Sequence, residues 1–318
     1  MKWLCILTLA AFAFTTPPAF PQDKAPSYFE LDDYNHRYPD TDTNIDLYLV
    51  CWKNSPVTSK SVQHGGWIER PYLTPGDPLK PSRAGAVLKY IKAYNHGALD
   101  PNTYTQKTKH DKEQVFFYIT DGAGRVEAGG KKADISEGTG VFIPAGLTYQ
   151  FFNTDKEQSL QAVIVVEEII PGFEPLKEMK TGSYKDHMPS AGMHWAHIGR
   201  GIVDNVKFSN PMGLAIVSID AFDMAQPHMH GPDAEEIWCQ LKGTSLLLFG
   251  NQLRRQEPGM AFLIPPNFKI PHSSINPTDQ PMQWLYLGNR HDPQETRRME
   301  GHIPDWKSKI YDKYNIKY

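Results

Sequence analysis

Cysteine is scarce in this 318-residue chain, which has only Cys5, Cys51 and Cys239. No disulfide framework and no paired CxxC metal ligands can be built from that number and spacing. A surplus of either charge is also missing. Lys and Arg number 33 against 36 Asp and Glu, a net charge of -3, and no Lys/Arg run stands out. This leaves no electrostatic footprint for nucleic acid and no basic patch for a membrane surface. Phosphate-cradling glycine loops and nucleophile elbows are absent too. No apolar run approaches the ~20 residues that a membrane-spanning helix needs. The longest, WLCILTLAAFAF at residues 3–14, follows Lys2 and is broken by TTPPAFPQ. That pattern predicts a secretory leader over residues 1–22, cleaved around residues 19–22, and with it an exported protein, periplasmic or secreted. Removal of the leader leaves Cys51 and Cys239, whose separation does not predict a bond; Cys239 reads as a small buried apolar residue.

Proline and glycine are plentiful, at 26 and 24 residues, and they punctuate short runs rich in Val, Ile, Phe and Tyr. Residues 23–84 read as an irregular N-terminal arm that wraps the folded body or contacts a partner chain. A first β-rich domain spans residues 85–170 (AVLKYIKAY, QVFFYIT, GVFIP, YQFFN, LQAVIVVEEI). A polar connector covers 171–208, a second β-rich domain 209–291 (LAIVSIDAF, EIWCQL, SLLLFG, AFLIPP, QWLYLG), and a charged tail with a short helix 292–318.

The two β-rich stretches are copies of each other. GTGVFIP at 138–144 recurs as GMAFLIP at 259–265, and DGAG after QVFFYIT recurs as KGTS after EIWCQL. His110 matches His230, and IKAY at 91–94 is matched with IDAF at 219–222, which requires a loop-length change between the copies.

Chemistry concentrates in the second copy. PHMHGPDAEEIWCQLKG sets His228 and His230 two apart, and residues i and i+2 of a strand share a face. Glu236 opens a run in which Glu236, Trp238 and Gln240 share a face, and His272 comes from a later strand. Three imidazoles and a carboxylate converging this way make a site for one divalent transition metal, with Fe, Mn, Ni, Cu and Zn all admissible and open positions left for substrate. Trp284 and Tyr286, with Trp238 and Gln240, are the expected pocket walls. His194 and His197 (HWAH) lie in the connector without a carboxylate nearby, and His64 and His96 read as turn residues.

These motifs resemble the cupin superfamily. His228, His230, Glu236 and Gly243 follow the first cupin motif, G-x5-H-x-H-x3,4-E-x6-G, with Phe222 at the leading Gly and five residues between His230 and Glu236. Glu235 is a rival carboxylate; Glu236 keeps the family spacing to Gly243. Gly259, Pro265, His272 and Asn276 follow the second motif, G-x5-P-x-G-x2-H-x3-N, with two extra residues before the histidine. The first copy keeps every spacing of that motif in Gly138, Pro144, Gly146 and Asn153, yet Tyr149 replaces the histidine. Thr108 stands where the first motif's leading histidine belongs, and His110 is kept. Gln114, or Glu113, holds the carboxylate's place, so a degenerate site of His110, Gln114 and Tyr149 is expected, with its metal lost.

The resemblance implies an all-β fold of two tandem jelly-roll barrels (a bicupin), a small-molecule substrate, and a homodimer as one admissible assembly. It favours an enzyme over a non-catalytic sugar binder. A dioxygenase acting on an enolic or phenolic substrate, with Glu236 as base, leads. Isomerase, lyase or decarboxylase chemistry at the same metal is the alternative.

Overall fold

In the computed structural model the described residues are 43–57, 64–191, 196–210, 212–228, 230–231, 233–267 and 270–290. The expected leader, the tail helix and His194 lie outside them. The first half carries β1 (Leu49–Cys51), β2 (Ile68–Pro75), β3 (Ala86–Leu88), β4 (Ile91–Leu99), β5 (Glu113–Asp121), β6 (Ala123–Ala128), β7 (Lys131–Ser136), β8 (Thr139–Ile143), β9 (Tyr149–Asn153) and β10 (Leu160–Glu168). The connector contributes β11 (Lys180–Ser183), β12 (Ser190–Ala191) and β13 (Ile198–Gly201). The second half adds β14 (Met212–Ile219), β15 (Ala234–Lys242), β16 (Ser245–Phe249), β17 (Gln252–Gln256), β18 (Met260–Leu263), β19 (His272–Ile275) and β20 (Met282–Arg290).

The strands form two jelly-roll barrels, each made of a seven-stranded and a three-stranded sheet. The large sheets run β11-β8-β5-β10-β4-β2-β3 and β1-β18-β15-β20-β14-β13-β12; the small ones run β7-β6-β9 and β17-β16-β19. Position by position the two orders match, as an internal duplication requires. Sheet pairing also corrects one repeat match. Ile91–Leu99 and Met212–Ile219 hold equivalent places against β10 and β20, whereas IDAF starts on the last residue of β14 and runs into the turn at Phe222, whose φ is +57°.

Burial on both faces explains the continuous apolar run QVFFYIT. Along β5, Val115, Phe117 and Ile119 fill the first barrel. Phe116 and Tyr118 point the other way, into a core shared with Ile237, Cys239 and Phe262 of the second barrel. The two large sheets therefore pack on each other, and one strand serves two cores.

The segments read as irregular are recruited into these sheets. Within the stretch assigned to the arm, β2 pairs with β4 and β1 pairs with β18 of the second barrel. Within the connector, β11 pairs with β8 of the first barrel. Each barrel's large sheet thus ends on a strand that precedes the other barrel. Pro and Gly in these stretches hide the pattern, because short edge strands tolerate both. The same pairing settles the cysteines. Cys51 lies opposite Met260 and Cys239 opposite Ala261, so β18 separates them by about 9–10 Å, two strand spacings. A disulfide needs Cα atoms within about 7 Å, and both cysteines are free.

A pair of buried carboxylates latches the barrels together. Glu235 of β15 accepts the backbone N–H groups of Lys89 (2.5 Å), Tyr90 (3.0 Å) and Ile91 (2.8 Å) in the turn before β4. In return, Glu167 of β10 accepts those of Ser209 (3.0 Å) and Asn210 (2.7 Å) before β14. Burial pushes the Glu235 carboxyl up to about 7, against the three amides that pull it down.

Candidate metal centre

The second barrel assembles its ligands through backbone pairing. His228 and His272 form an isolated antiparallel bridge, each donating its N–H to the other's carbonyl at 3.2 and 2.9 Å. A bridge of this kind sets both side chains on one face. His230, two residues on, follows the strand alternation, and Glu236 enters from β15. Their ligand atoms lie within 4.8 Å of one another. All four residues are buried, from 8% exposure at His228 to 0% at His272.

Supporting contacts fix this set. His228 Nδ1 donates to the Gln226 carbonyl at 3.0 Å, which leaves its Nε2 lone pair for an ion. Trp238 Nε1 donates to Glu236 Oε1 at 2.7 Å, and the Tyr286 hydroxyl donates to Oε2 at 3.4 Å. His230 Nε2 is 2.9 Å and His272 Nε2 3.8 Å from the same carboxylate. Burial pushes the Glu236 carboxyl up, but the facing imidazoles, His230 foremost, overrule it and hold it well below the usual range. The donor set fits a divalent ion. Three imidazoles and one carboxylate within 4.8 Å need close in by only a few tenths of an ångström to share an ion at the usual ~2.0–2.2 Å, and the ion would compensate a carboxylate that no buried Lys or Arg faces among the described residues. Exchanging Trp238 for Phe removes one of the two donors that hold Glu236. A loss of roughly 10–100-fold in metal affinity is expected, measured by titrating the metal-free protein against a competing chelator; unchanged affinity would show that the indole only fills space.

The remaining predicted residues divide. Tyr286, half-buried on β20, pairs with Trp238 across the sheet, while Gly288 pairs with Glu236. A Cβ at Gly288 would fall 2.1 Å from the Tyr286 hydroxyl, so this glycine is what lets the phenol reach the carboxylate. Trp238 and Trp284 stack at 4.8 Å and 24°, each only 1% exposed; they are a packed floor rather than an open wall. Gln240 is not at the site, because its amide donates to the Lys242 and Gly243 carbonyls at the β15–β16 turn. Glu235, the rival carboxylate, is the latch described above. His197, dismissed in the sequence, is buried with its ring edge-on to Trp238 and Trp284, at 5.8 and 5.2 Å. Nothing in the connector's composition signals that insertion.

The first barrel repeats the frame without the ligands. Thr108 and Tyr149 form the bridge that His228 and His272 form in the second, and the Tyr149 hydroxyl is 3.3 Å from His110 Nε2. Gln114 does not belong to this group: its amide donates to Glu167 (2.6 Å) and the Lys207 carbonyl (3.0 Å) at the barrel interface. His64 does lie in a turn, but a buried one, and His96 is not a turn residue. His96 sits within β4, and His64 is 2% exposed.

Comparison with known proteins agrees with this architecture. Residues 95–166 match the cupin domain model. An uncharacterised protein of Streptomyces coelicolor is 26% identical over 88 residues, 26% of this chain and 83% of that protein. The oxalate decarboxylase of Lactobacillus farciminis, solved as a formate complex, superposes with a TM-score of 0.57 at 16% identity, covering 85% of this chain and 94% of that one. The Bacillus subtilis oxalate decarboxylase, which has Mn(II) centres, gives 0.56 at 14% identity over 82% and 83%. Escherichia coli protein Ylba gives 0.54 at 16% over 75% and 95%. Residues 95–166 thus form a cupin domain, and the chain as a whole shares the two-barrel fold of these structures.

Proposed function

We propose that the second barrel is the active centre of a metal-dependent enzyme acting on a small organic molecule, and that its reaction is a dioxygenase-type oxidation of an enolic or phenolic substrate. The observation that carries this reading is the buried set of His228, His230, Glu236 and His272, held by Trp238 and Tyr286. A divalent ion bound there would supply Lewis acidity and open positions for substrate oxygens. Glu236 is positioned to exchange a proton with the hydroxyl of half-buried Tyr286, while the packed Trp238 and Trp284 rings exclude water from the side behind it. A second reading, non-oxidative decarboxylation of a small acid, is supported by the same phenol, which can deliver a proton to a carbanion, and by the fold shared with oxalate decarboxylases.

Metal analysis of the untagged mature protein is expected to give about one ion per chain at this centre. Oxygen-electrode assays over enols, phenols and small carboxylic acids then separate the chemistries. Oxygen uptake supports the first reading, and anaerobic CO2 release the second. A protein that holds no metal after reconstitution would end both. Tyr286→Phe is expected to lower turnover per bound metal ion at least tenfold, measured at saturating metal, since general acid–base catalysis contributes about 10²–10⁴-fold. Export is proposed on residues 1–22, and intact mass of the protein recovered outside the cytoplasm should show a chain starting around residues 20–23.

A further inference from the structure

We propose that the first barrel, whose inherited ligand positions hold Thr108 and Tyr149, has acquired a different metal site made of His64, His110 and Tyr149. The N-terminal arm supplies its new member. Residues 64–67 run directly beside Thr108: a Cβ on Gly65 would fall 2.5 Å from Thr108 Oγ1 and from the Gln106 carbonyl, and Gln106 donates its N–H to the Gly65 carbonyl at 2.6 Å. Gly65 has φ +77°, a conformation that suits glycine. The small residue at 108 and the glycine at 65 together admit the arm, and the arm brings an imidazole to the place that lost one.

The surroundings of His64 are those of a metal ligand. Its Nδ1 bonds Glu69 Oε1 at 2.5 Å, and Glu69 Oε2 accepts from Asn95 Nδ2 at 2.7 Å. A carboxylate behind an imidazole, itself held by another donor, fixes the tautomer and the ring direction of metal-binding histidines. His64 Nε2 is buried and has no hydrogen-bond partner. In either protonation state this is costly. A neutral His64 leaves Nε2 as a buried unpaired acceptor beside a buried carboxylate, and a protonated one leaves a buried unpaired donor. A cation on Nε2 removes the first cost and balances the Glu69 charge.

The other two groups face the same space. The His64 and His110 rings are 5.4 Å apart, against 4.1–5.0 Å among the three imidazoles of the second barrel. His110 has its own carboxylate behind it, with Glu113 Oε2 3.5 Å from Nδ1. The 3.3 Å between His110 Nε2 and the Tyr149 hydroxyl is close to the ~3.4 Å edge that two ligands of a tetrahedral ion share at ~2.1 Å bond lengths. Val115 occupies the place of the second barrel's carboxylate, so the phenol is the third donor. A nitrogen-rich set of this kind suits Cu(II), Zn(II) or Co(II) rather than Mg(II) or Ca(II).

The test uses full-length protein carrying His228→Ala and His230→Ala, so that it does not depend on activity or on the second centre. Equilibrium dialysis against Co(II) is expected to retain about one ion per chain, and Cu(II) loading should give a visible phenolate-to-copper charge-transfer band. Adding Tyr149→Phe should abolish the band. Adding His64→Ala, or the bulkier His64→Gln if the alanine variant unfolds, should weaken Co(II) at least tenfold. Absence of Co(II) binding in the double variant, or binding indifferent to His64, overturns the proposal. So does a Cu(II) complex whose band survives Tyr149→Phe. Failure of the proposed enzyme activity leaves all of these readouts intact.

Discussion

His272→Ala is expected to strip the metal from the second barrel, taking occupancy there from about one ion per chain to near none. His272 is wholly buried, and its backbone remains bridged to His228 whatever its side chain. The substitution therefore removes a ligand while the pairing that builds the site survives. Loss of a supporting partner already costs roughly 10–100-fold in affinity, and loss of a direct ligand should exceed that. Turnover should fall with occupancy. The thermal signature should change as well. An ion that binds only the folded chain adds about 4 kcal/mol at a thousandfold excess over its dissociation constant. Metal-free and metal-loaded wild type should therefore melt apart, and the variant's two curves should draw together. Second-barrel occupancy that stays at one ion would show that the remaining residues hold the ion without His272, and the site would have to be redrawn.

Glu235→Ala is expected to be among the most destabilising single substitutions in the chain, although the residue touches no proposed substrate or ion. Its two oxygens satisfy three backbone N–H groups of the other barrel, of which that of Ile91 is buried and those of Lys89 and Tyr90 are partly so. The buried Ile91 donor left without a partner costs about 1–3 kcal/mol, and the two partly buried bonds to the carboxylate add to that, so a loss of about 3 kcal/mol is anticipated. Chemical denaturation of metal-free protein measures this without interference from ligand binding. The neighbouring Glu236→Gln is the informative contrast. It should cost metal affinity and much less metal-free stability, because Trp238 keeps the amide oxygen to donate to and the Tyr286 hydroxyl can turn to accept from the amide NH2. If the two variants behaved alike, the division of labour between adjacent carboxylates would be wrong.

That division was only partly legible in the sequence. Spacing to Gly243 pointed to Glu236, but nothing in the linear pattern said that Glu235 faces the other barrel; it follows from strand alternation once both faces of β15 are buried. The His228, His230, Glu236 and His272 cluster was readable because HxH, a carboxylate and a distant histidine keep local spacings that a barrel brings together. Thr108 and Tyr149 were readable as the counterparts of His228 and His272 for the same reason, and the two isolated bridges occupy matching places. Gln240 was misplaced because alternation gives the face of a strand and not the depth along it: two residues beyond Trp238, the side chain has reached the far turn. His64 and His197 were missed because each enters a barrel from an irregular segment, where no period relates it to the residues it meets.

The exchanged edge strands bear on how such a chain could be divided. β1 belongs by sequence to the first half and by hydrogen bonding to the second, and β11 shows the reverse. Cutting the polypeptide between the copies would yield two fragments still clasped through each other's sheets, and neither could be produced alone without baring the edge of β8 or β18 to foreign strands. Loss of the inherited ligand residues from one half therefore does not free the chain to lose that half. The first barrel is retained as a folding partner whatever it binds, which leaves its interior free to change while its outline is held fixed.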